Sequence, residues 1–90
     1  MGMINNPYSL TGKTILITGA SSGIGQEAAV QCSKLGARIV ITGRDETRLN
    51  DTFSLLEGDG HIRVVADLNN DEDIDKLATE CPIINGLVNN

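Results

Sequence analysis

The sequence lacks the features that mark membrane, secreted and metal-binding proteins. Its apolar runs are only a few residues long, whereas a membrane-spanning helix needs about 18–20. The N-terminus has neither the basic stretch nor the apolar core of a signal peptide. The two cysteines, Cys32 and Cys81, match no zinc or redox spacing and make a poor disulfide framework. We therefore expect a cytoplasmic protein that binds neither a membrane nor a metal ion.

Positive charge is scarce and unevenly placed. The chain carries 7 lysines and arginines against 12 acidic residues, a net charge of −5. Residues 1–50 hold five basic and three acidic residues, net +2, whereas residues 51–90 hold two and nine, net −7. The acidic second half argues against a nucleic-acid surface, and a phosphate-bearing ligand is expected in the first half.

The apolar pattern alternates between strand and helix. Short β-branched or apolar runs predict four strands, at 14–18, 38–42, 62–66 and 84–89. Helical periodicity predicts three helices, from 23 to about 35, about 46 to 57, and 71 to about 81. The order βαβαβαβ demands a parallel sheet with right-handed crossovers. We therefore predict an incomplete, doubly wound α/β sheet of strand order 3-2-1-4 over residues 13–90, after an irregular lead-in, 1–12.

The helical periods also predict which side chains face the sheet. These are Ile24, Ala28, Cys32 and Leu35 in the first helix, Leu49, Phe53 and Leu56 in the second, and Ile74, Leu77 and Ala78 in the third. The two cysteines then lie on opposite faces of the sheet, as small core residues. His61, beside Gly60, is expected in a solvated loop.

A glycine-rich turn, residues 18–25, joins the first predicted strand to the first helix. A helix N-terminus has unpaired N–H groups and a partial positive charge, so it suits a pyrophosphate. Gly19 would permit a tight turn, Gly23 would leave room for phosphate, and Gly25 would let helix and sheet pack closely. The hydroxyl donors between the glycines are Ser21 and Ser22. The spacing is neither G-x-G-x-x-G nor a P-loop, and a plain strand-to-helix turn is the alternative.

Two motifs at strand ends carry a family resemblance: Thr18-Gly-x-x-x-Gly-Ile-Gly25 and Leu87-Val88-Asn89-Asn90. Together they resemble the short-chain dehydrogenase/reductase family, from Gly12 to the last residue. The resemblance implies a Rossmann fold and a nicotinamide-dependent oxidoreductase acting on small carbonyls or alcohols, a homo-oligomer when full length. The resemblance also implies that Ile24, within the Gly-Ile-Gly motif, is one of the cofactor-binding residues.

The residues after the second predicted strand indicate the cofactor. Arg44 stands where the family's NADP-preferring members carry a basic residue, and a guanidinium suits a 2′-phosphate. The next residue, Asp45, would bind the ribose of NAD in the competing interpretation, or would cap the following helix. We expect NADP rather than NAD.

The resemblance also implies cofactor contacts at the later strand ends. Asp67 and Leu68 would touch the adenine, although Asp67 could equally begin a turn. Asn90 would lie beside the cofactor ribose, and Asn89 would tie neighbouring strands together.

The family's catalytic Tyr-x-x-x-Lys pair has no counterpart in this sequence. Tyr8 is the single tyrosine, and Lys13 follows it one residue too late for the motif. No catalytic residue is assigned, and the fourth strand would be an uncovered apolar edge. We expect the N-terminal, cofactor-binding part of a longer enzyme, inactive alone. The alternative is a self-standing, non-catalytic nucleotide-binding or interaction module.

Overall fold

Four strands and three helices alternate along the chain in a computed structural model, which describes residues 9–21 and 23–89. They are β1 Thr14–Thr18, α1 Gly23–Lys34, β2 Arg38–Gly43, α2 Glu46–Leu55, β3 Ile62–Val65, α3 Asp71–Glu80 and β4 Gly86–Val88. All strand pairs are parallel, in the order β3-β2-β1-β4. The predicted incomplete Rossmann α/β fold and its strand order are confirmed. Within the described residues, none of the helices has the length and apolar character needed to cross a membrane.

The sheet is covered on both faces, as its apolar strands require. In the central strand β2, Ile39, Val40 and Ile41 are completely buried. Helices α1 and α2 pack on one face, where Leu49 joins the main apolar cluster. Helix α3 packs on the other face through Leu77. Cys32 and Cys81 contact the first and second cluster respectively, so they lie on opposite faces as predicted.

The predicted sheet-facing stripe of α1 is correct for Ala28 and Cys32, which pack against the main apolar cluster, and wrong for Ile24. The buried residues of this helix are Gly25, Ala29 and Ser33, whereas Ile24 is 77% exposed. Small side chains allow the helix to lie close to the sheet, and this close packing outweighs the greater hydrophobicity of the neighbouring stripe. Ala28 is only half-buried.

The other two helices follow the prediction more closely. In α2, Leu49 is buried, and Phe53 and Leu56 pack against the same cluster. In α3, Leu77 alone is buried, whereas Ile74 is 42% exposed and Ala78 is also exposed. The reason is that α3 contacts the sheet along a narrow strip, and the part of the chain that the structure describes places no second helix on that face.

The expectation for His61 is also wrong, because its ring is half-buried and bound on both sides. The ring Nδ1 accepts from the backbone N–H of Ile39 at 2.9 Å, and Nε2 lies 2.6 Å from the Glu57 carbonyl oxygen. Since Nδ1 accepts, Nε2 carries the hydrogen. His61 therefore connects the loop before β3 to the start of β2.

Candidate functional site

An open groove of about 810 Å³ lies at the carboxyl ends of the strands. Ligands of doubly wound sheets bind at this end, where the strand order reverses, here between β1 and β4. The groove takes its lining from the segments that follow all four strands: Thr18, Gly19, Ser21, Thr42, Gly43, Arg44, Asp45, Arg48, Ala66, Asp67, Leu68, Asn69 and Asn89.

The glycine-rich turn forms one wall of the groove. Gly19 has φ +63°, a left-handed conformation that glycine adopts without strain. The next N–H, of Ala20, donates to the Thr42 carbonyl at 3.1 Å and so pins the turn to β2. Among the described residues, none would lie within 4 Å of a Cβ added at Gly23. The first turn of α1 carries no acidic residue, so an anion there would meet N–H groups without a competing carboxylate.

A glycine on β2 brings the turn and the end of this strand together. A Cβ added to Gly43 would lie only 3.1 Å from Ser21 Oγ and 3.3 Å from Ser21 Cβ. The absence of a side chain at this position therefore lets Ser21 pack over the end of β2, beside Arg44. The sequence analysis assigned no role to Gly43, because nothing in the local pattern shows that Ser21 approaches it.

Asp45 caps α2, as one of its two interpretations predicted. Its Oδ1 accepts from the Arg48 backbone N–H at 3.0 Å, and its Oδ2 lies 3.7 Å from Arg48 Nε. Both carboxylate oxygens thus interact with Arg48. Arg44, one residue earlier, is exposed and makes no hydrogen bond or ion pair within residues 9–21 and 23–89.

Arg48 is a groove residue that the sequence analysis missed. It follows Arg44 by four residues, in the first turn of the predicted second helix, and this proximity was the available signal. The two guanidinium groups and the Asp45 carboxylate give this corner of the groove a net positive charge.

The loop after β3 closes the opposite wall. The Asp67 N–H donates to Asp73 Oδ2 at 2.8 Å, and Asp67 Oδ1 accepts from the Asn69 N–H at 2.9 Å. Asp67 therefore does begin a turn, which was the structural alternative for this residue. Its second carboxylate oxygen and the 41% exposed Leu68 remain available at the groove. Their contact with an adenine stays a prediction.

Asn89 ties the ends of β1 and β4, as expected. Its Oδ1 accepts from Thr18 Oγ1 at 2.9 Å, across the β1–β4 pair. The predicted residues that line the groove are Gly19, Ser21, Arg44, Asp67 and Leu68. Gly23, Ile24 and Gly25 lie at the start of α1, outside the lining. Ser22, Asn90 and Tyr8 lie outside the described residues.

Comparisons with known proteins agree with this geometry. A family model described as short chain dehydrogenase matches residues 13–90. The 3-oxoacyl-[acyl-carrier-protein] reductase FabG of Rickettsia felis is 40% identical over 81 residues, which cover 90% of this chain and 33% of the relative.

Two solved structures were determined with a bound cofactor. The RhlG/NADP active-site complex of Pseudomonas aeruginosa matches with a TM-score of 0.78 and 34% identity, over 92% of this chain and 36% of that one. L-Sorbose reductase from Gluconobacter frateurii, complexed with NADPH and L-sorbose, matches with a TM-score of 0.77 and 34% identity, over 92% of this chain and 34% of that one. The chain spans about a third of the length of these relatives.

Proposed function

The chain belongs to the short chain dehydrogenase family, and from this premise we propose that it binds NADP(H) for an oxidoreductase that interconverts carbonyls and alcohols. A bound nicotinamide cofactor would supply the hydride, and the residues described above would hold its adenosine half. The turn at Gly19 and the start of α1 would bind the pyrophosphate.

The observation that carries the choice of NADP is the charge at the end of β2. NADP differs from NAD by a 2′-phosphate, and Arg44 lines the groove without a partner among the described residues. Asp45, the residue that would favour NAD, instead has both carboxylate oxygens turned to Arg48. Ser21 lies against the same strand end and would add a hydroxyl to the phosphate site. The bound NADP and NADPH in the two solved relatives support this choice.

Carbonyl reduction needs a proton donor besides the cofactor. The printed sequence contains no Tyr-x-x-x-Lys, so we propose that these 90 residues bind the cofactor but do not turn over a substrate by themselves. The relatives' names give an oxoacyl group on an acyl carrier protein and the sugar L-sorbose as carbonyl substrates, and we propose a carbonyl or alcohol substrate for the whole protein.

Fluorescence titration with NADPH and NADH tests this proposal directly. We expect the chain to bind NADPH about ten- to a hundredfold more tightly than NADH. Equal affinities, or a preference for NADH, would contradict the assignment of Arg44 and make Asp45 the specificity residue. Binding of neither cofactor would favour the interaction module over the cofactor-binding role.

A further inference from the structure

The hydroxyl of Thr42 is the one buried side-chain polar atom without a hydrogen-bond partner among residues 9–21 and 23–89. The residue is only 1% exposed, and it lines the floor of the groove. An unpaired hydroxyl in an apolar interior is unfavourable, and most buried polar groups have a partner. A ligand atom in the groove would provide that partner.

The position of Thr42 in β2 indicates which part of a bound ligand would lie near its hydroxyl. Ile39 and Ile41 face the cluster under α1 and α2, so the alternation along the strand places the Thr42 side chain on the opposite, α3 face. Its neighbours in register are Thr18 on β1 and Val64 on β3. Thr42 thus lies between the glycine-rich turn and the loop of Asp67.

The hydroxyl of Thr18, the neighbouring residue on β1, differs from that of Thr42 because it has a partner within the fold. Thr18 Oγ1, directly across from Thr42 in the β1–β2 pair, already donates to Asn89 Oδ1 at 2.9 Å. The backbone carbonyl of Thr42 accepts from Ala20. Of these groups, the Thr42 hydroxyl alone is left without a hydrogen-bond partner among the described residues.

We infer that the Thr42 hydroxyl forms a hydrogen bond with the nucleoside of the bound cofactor, at the floor of the groove. This inference rests on the proposed function. The phosphates would have other partners, because the pyrophosphate would bind at the turn and the 2′-phosphate beside Arg44. Thr42 is therefore a nucleoside-binding residue, indifferent to whether a 2′-phosphate is present.

Thr42→Val tests the inference, because valine has the same shape and lacks the hydroxyl. The probes are adenosine 5′-monophosphate and adenosine 2′,5′-bisphosphate, titrated calorimetrically into the chain. We expect Thr42→Val to weaken both by the same factor, about three- to tenfold. Thr42→Ser should retain the wild-type affinities, and Arg44→Ala should weaken only the bisphosphate.

The stability of the ligand-free protein provides a second readout, because Thr42→Val should weaken ligand binding without lowering the Tm. Removing an unpaired buried hydroxyl should leave the Tm of Thr42→Val unchanged or raise it. The matched control is Thr52→Val, since Thr52 is equally buried but its hydroxyl donates to the Ala20 carbonyl and accepts from Gln26. This control should lower the Tm.

The outcomes separate the inference from the proposed function. If the wild-type chain binds neither probe, the proposed function fails and the inference fails with it. If the wild type binds but Thr42→Val binds equally well, the inference alone is overturned. A Tm that falls in Thr42→Val as it does in Thr52→Val would overturn it too, since the hydroxyl would then have a partner within the fold. Thr42→Ala should weaken the binding of both probes, as Thr42→Val does.

Discussion

Removing the guanidinium of Arg44 is the sharpest perturbation of the proposed cofactor site. The side chain is exposed at the groove, so Arg44→Ala should not disturb the core. A charge-assisted hydrogen bond to phosphate is worth ~1.5–3 kcal/mol. We therefore expect the Kd of adenosine 2′,5′-bisphosphate to rise about ten- to a hundredfold, with that of adenosine 5′-monophosphate nearly unchanged.

Arg48 should contribute less than Arg44, and the structure gives the reason. To reach a phosphate its guanidinium must leave Asp45 Oδ2, 3.7 Å away. This exposed ion pair is worth at most ~1 kcal/mol, which reduces the gain from the new contact. We expect Arg48→Ala to raise the Kd of the bisphosphate about three- to twentyfold.

Asp45→Asn isolates the opposing charge without removing the helix cap. Asparagine caps helices about as well as aspartate, so its Oδ1 should still accept from the Arg48 N–H and α2 should remain intact. The substitution frees the Arg48 side chain and removes a negative charge from the groove. We expect the bisphosphate to bind more tightly to this variant.

Isothermal titration at low and high salt measures these differences. The preference for the 2′-phosphate should shrink as salt rises, because exposed charges are screened. The reasoning would be refuted if Arg44→Ala weakened both nucleotides equally, or if Asp45→Asn weakened the bisphosphate. The second result would mean that Asp45 contacts the ribose.

Three further results are expected. Gly43→Ala should weaken the binding of the bisphosphate several-fold, because the new Cβ would push Ser21 aside, 3.1 Å from its Oγ and 3.3 Å from its Cβ. Unchanged binding would mean that Ser21 does not contact the ligand. Burial raises the pKa of the Cys32 thiol, so iodoacetamide at about pH 8 should alkylate it more slowly in the folded chain than in urea, as mass spectrometry can follow. Because the folded pKa is the higher one, Cys32 should lower the free energy of unfolding only as the pH rises above the ordinary thiol value, a decline that Cys32→Ala should reduce. Purified chain with NADPH should reduce no carbonyl substrate above background, and turnover by mass-verified material would contradict the motif analysis.

The strands and the glycine-rich turn could be predicted from the sequence because their signals are local. β1 has the predicted bounds and β2 ends one residue later than predicted. Continuous β-branched runs such as 39–42 are typical of strands that are buried on both faces. The same holds for Asp45, whose cap depends only on the backbone three residues later.

Features that depend on tertiary packing were missed. The period of α1 contains both an Ile24 stripe and a Gly25 stripe, and only the distance to the sheet decides between them. Arg48 becomes a groove residue only because α2 starts beside the turn. The unpaired hydroxyl of Thr42 depends on what every neighbouring strand end offers, which no local pattern records.

The role of His61 also depends on tertiary packing and was missed. Its two hydrogen bonds should contribute unequally to the free energy of unfolding. Arg38 N–H donates to Lys13 on the β1 side, so the next N–H along β2, of Ile39, points towards β3. β3 begins only at Ile62, and His61 Nδ1 takes the place of the missing ladder carbonyl for this buried residue. The Glu57 carbonyl on the other side belongs to an exposed residue. Water can therefore replace the ring at Glu57 but not at Ile39.

Substitutions at His61 can separate the two bonds. Asparagine places an oxygen near the position of Nδ1, whereas glutamine places its amide nearer to Nε2. An unsatisfied buried N–H costs ~1–3 kcal/mol. His61→Gln and His61→Ala should both lose about this much free energy of unfolding, and His61→Asn clearly less, in urea denaturation followed by circular dichroism. If His61→Gln were as stable as wild type, the Glu57 contact would be the one that matters. Equal losses for asparagine and alanine would show that Nδ1 does not satisfy Ile39.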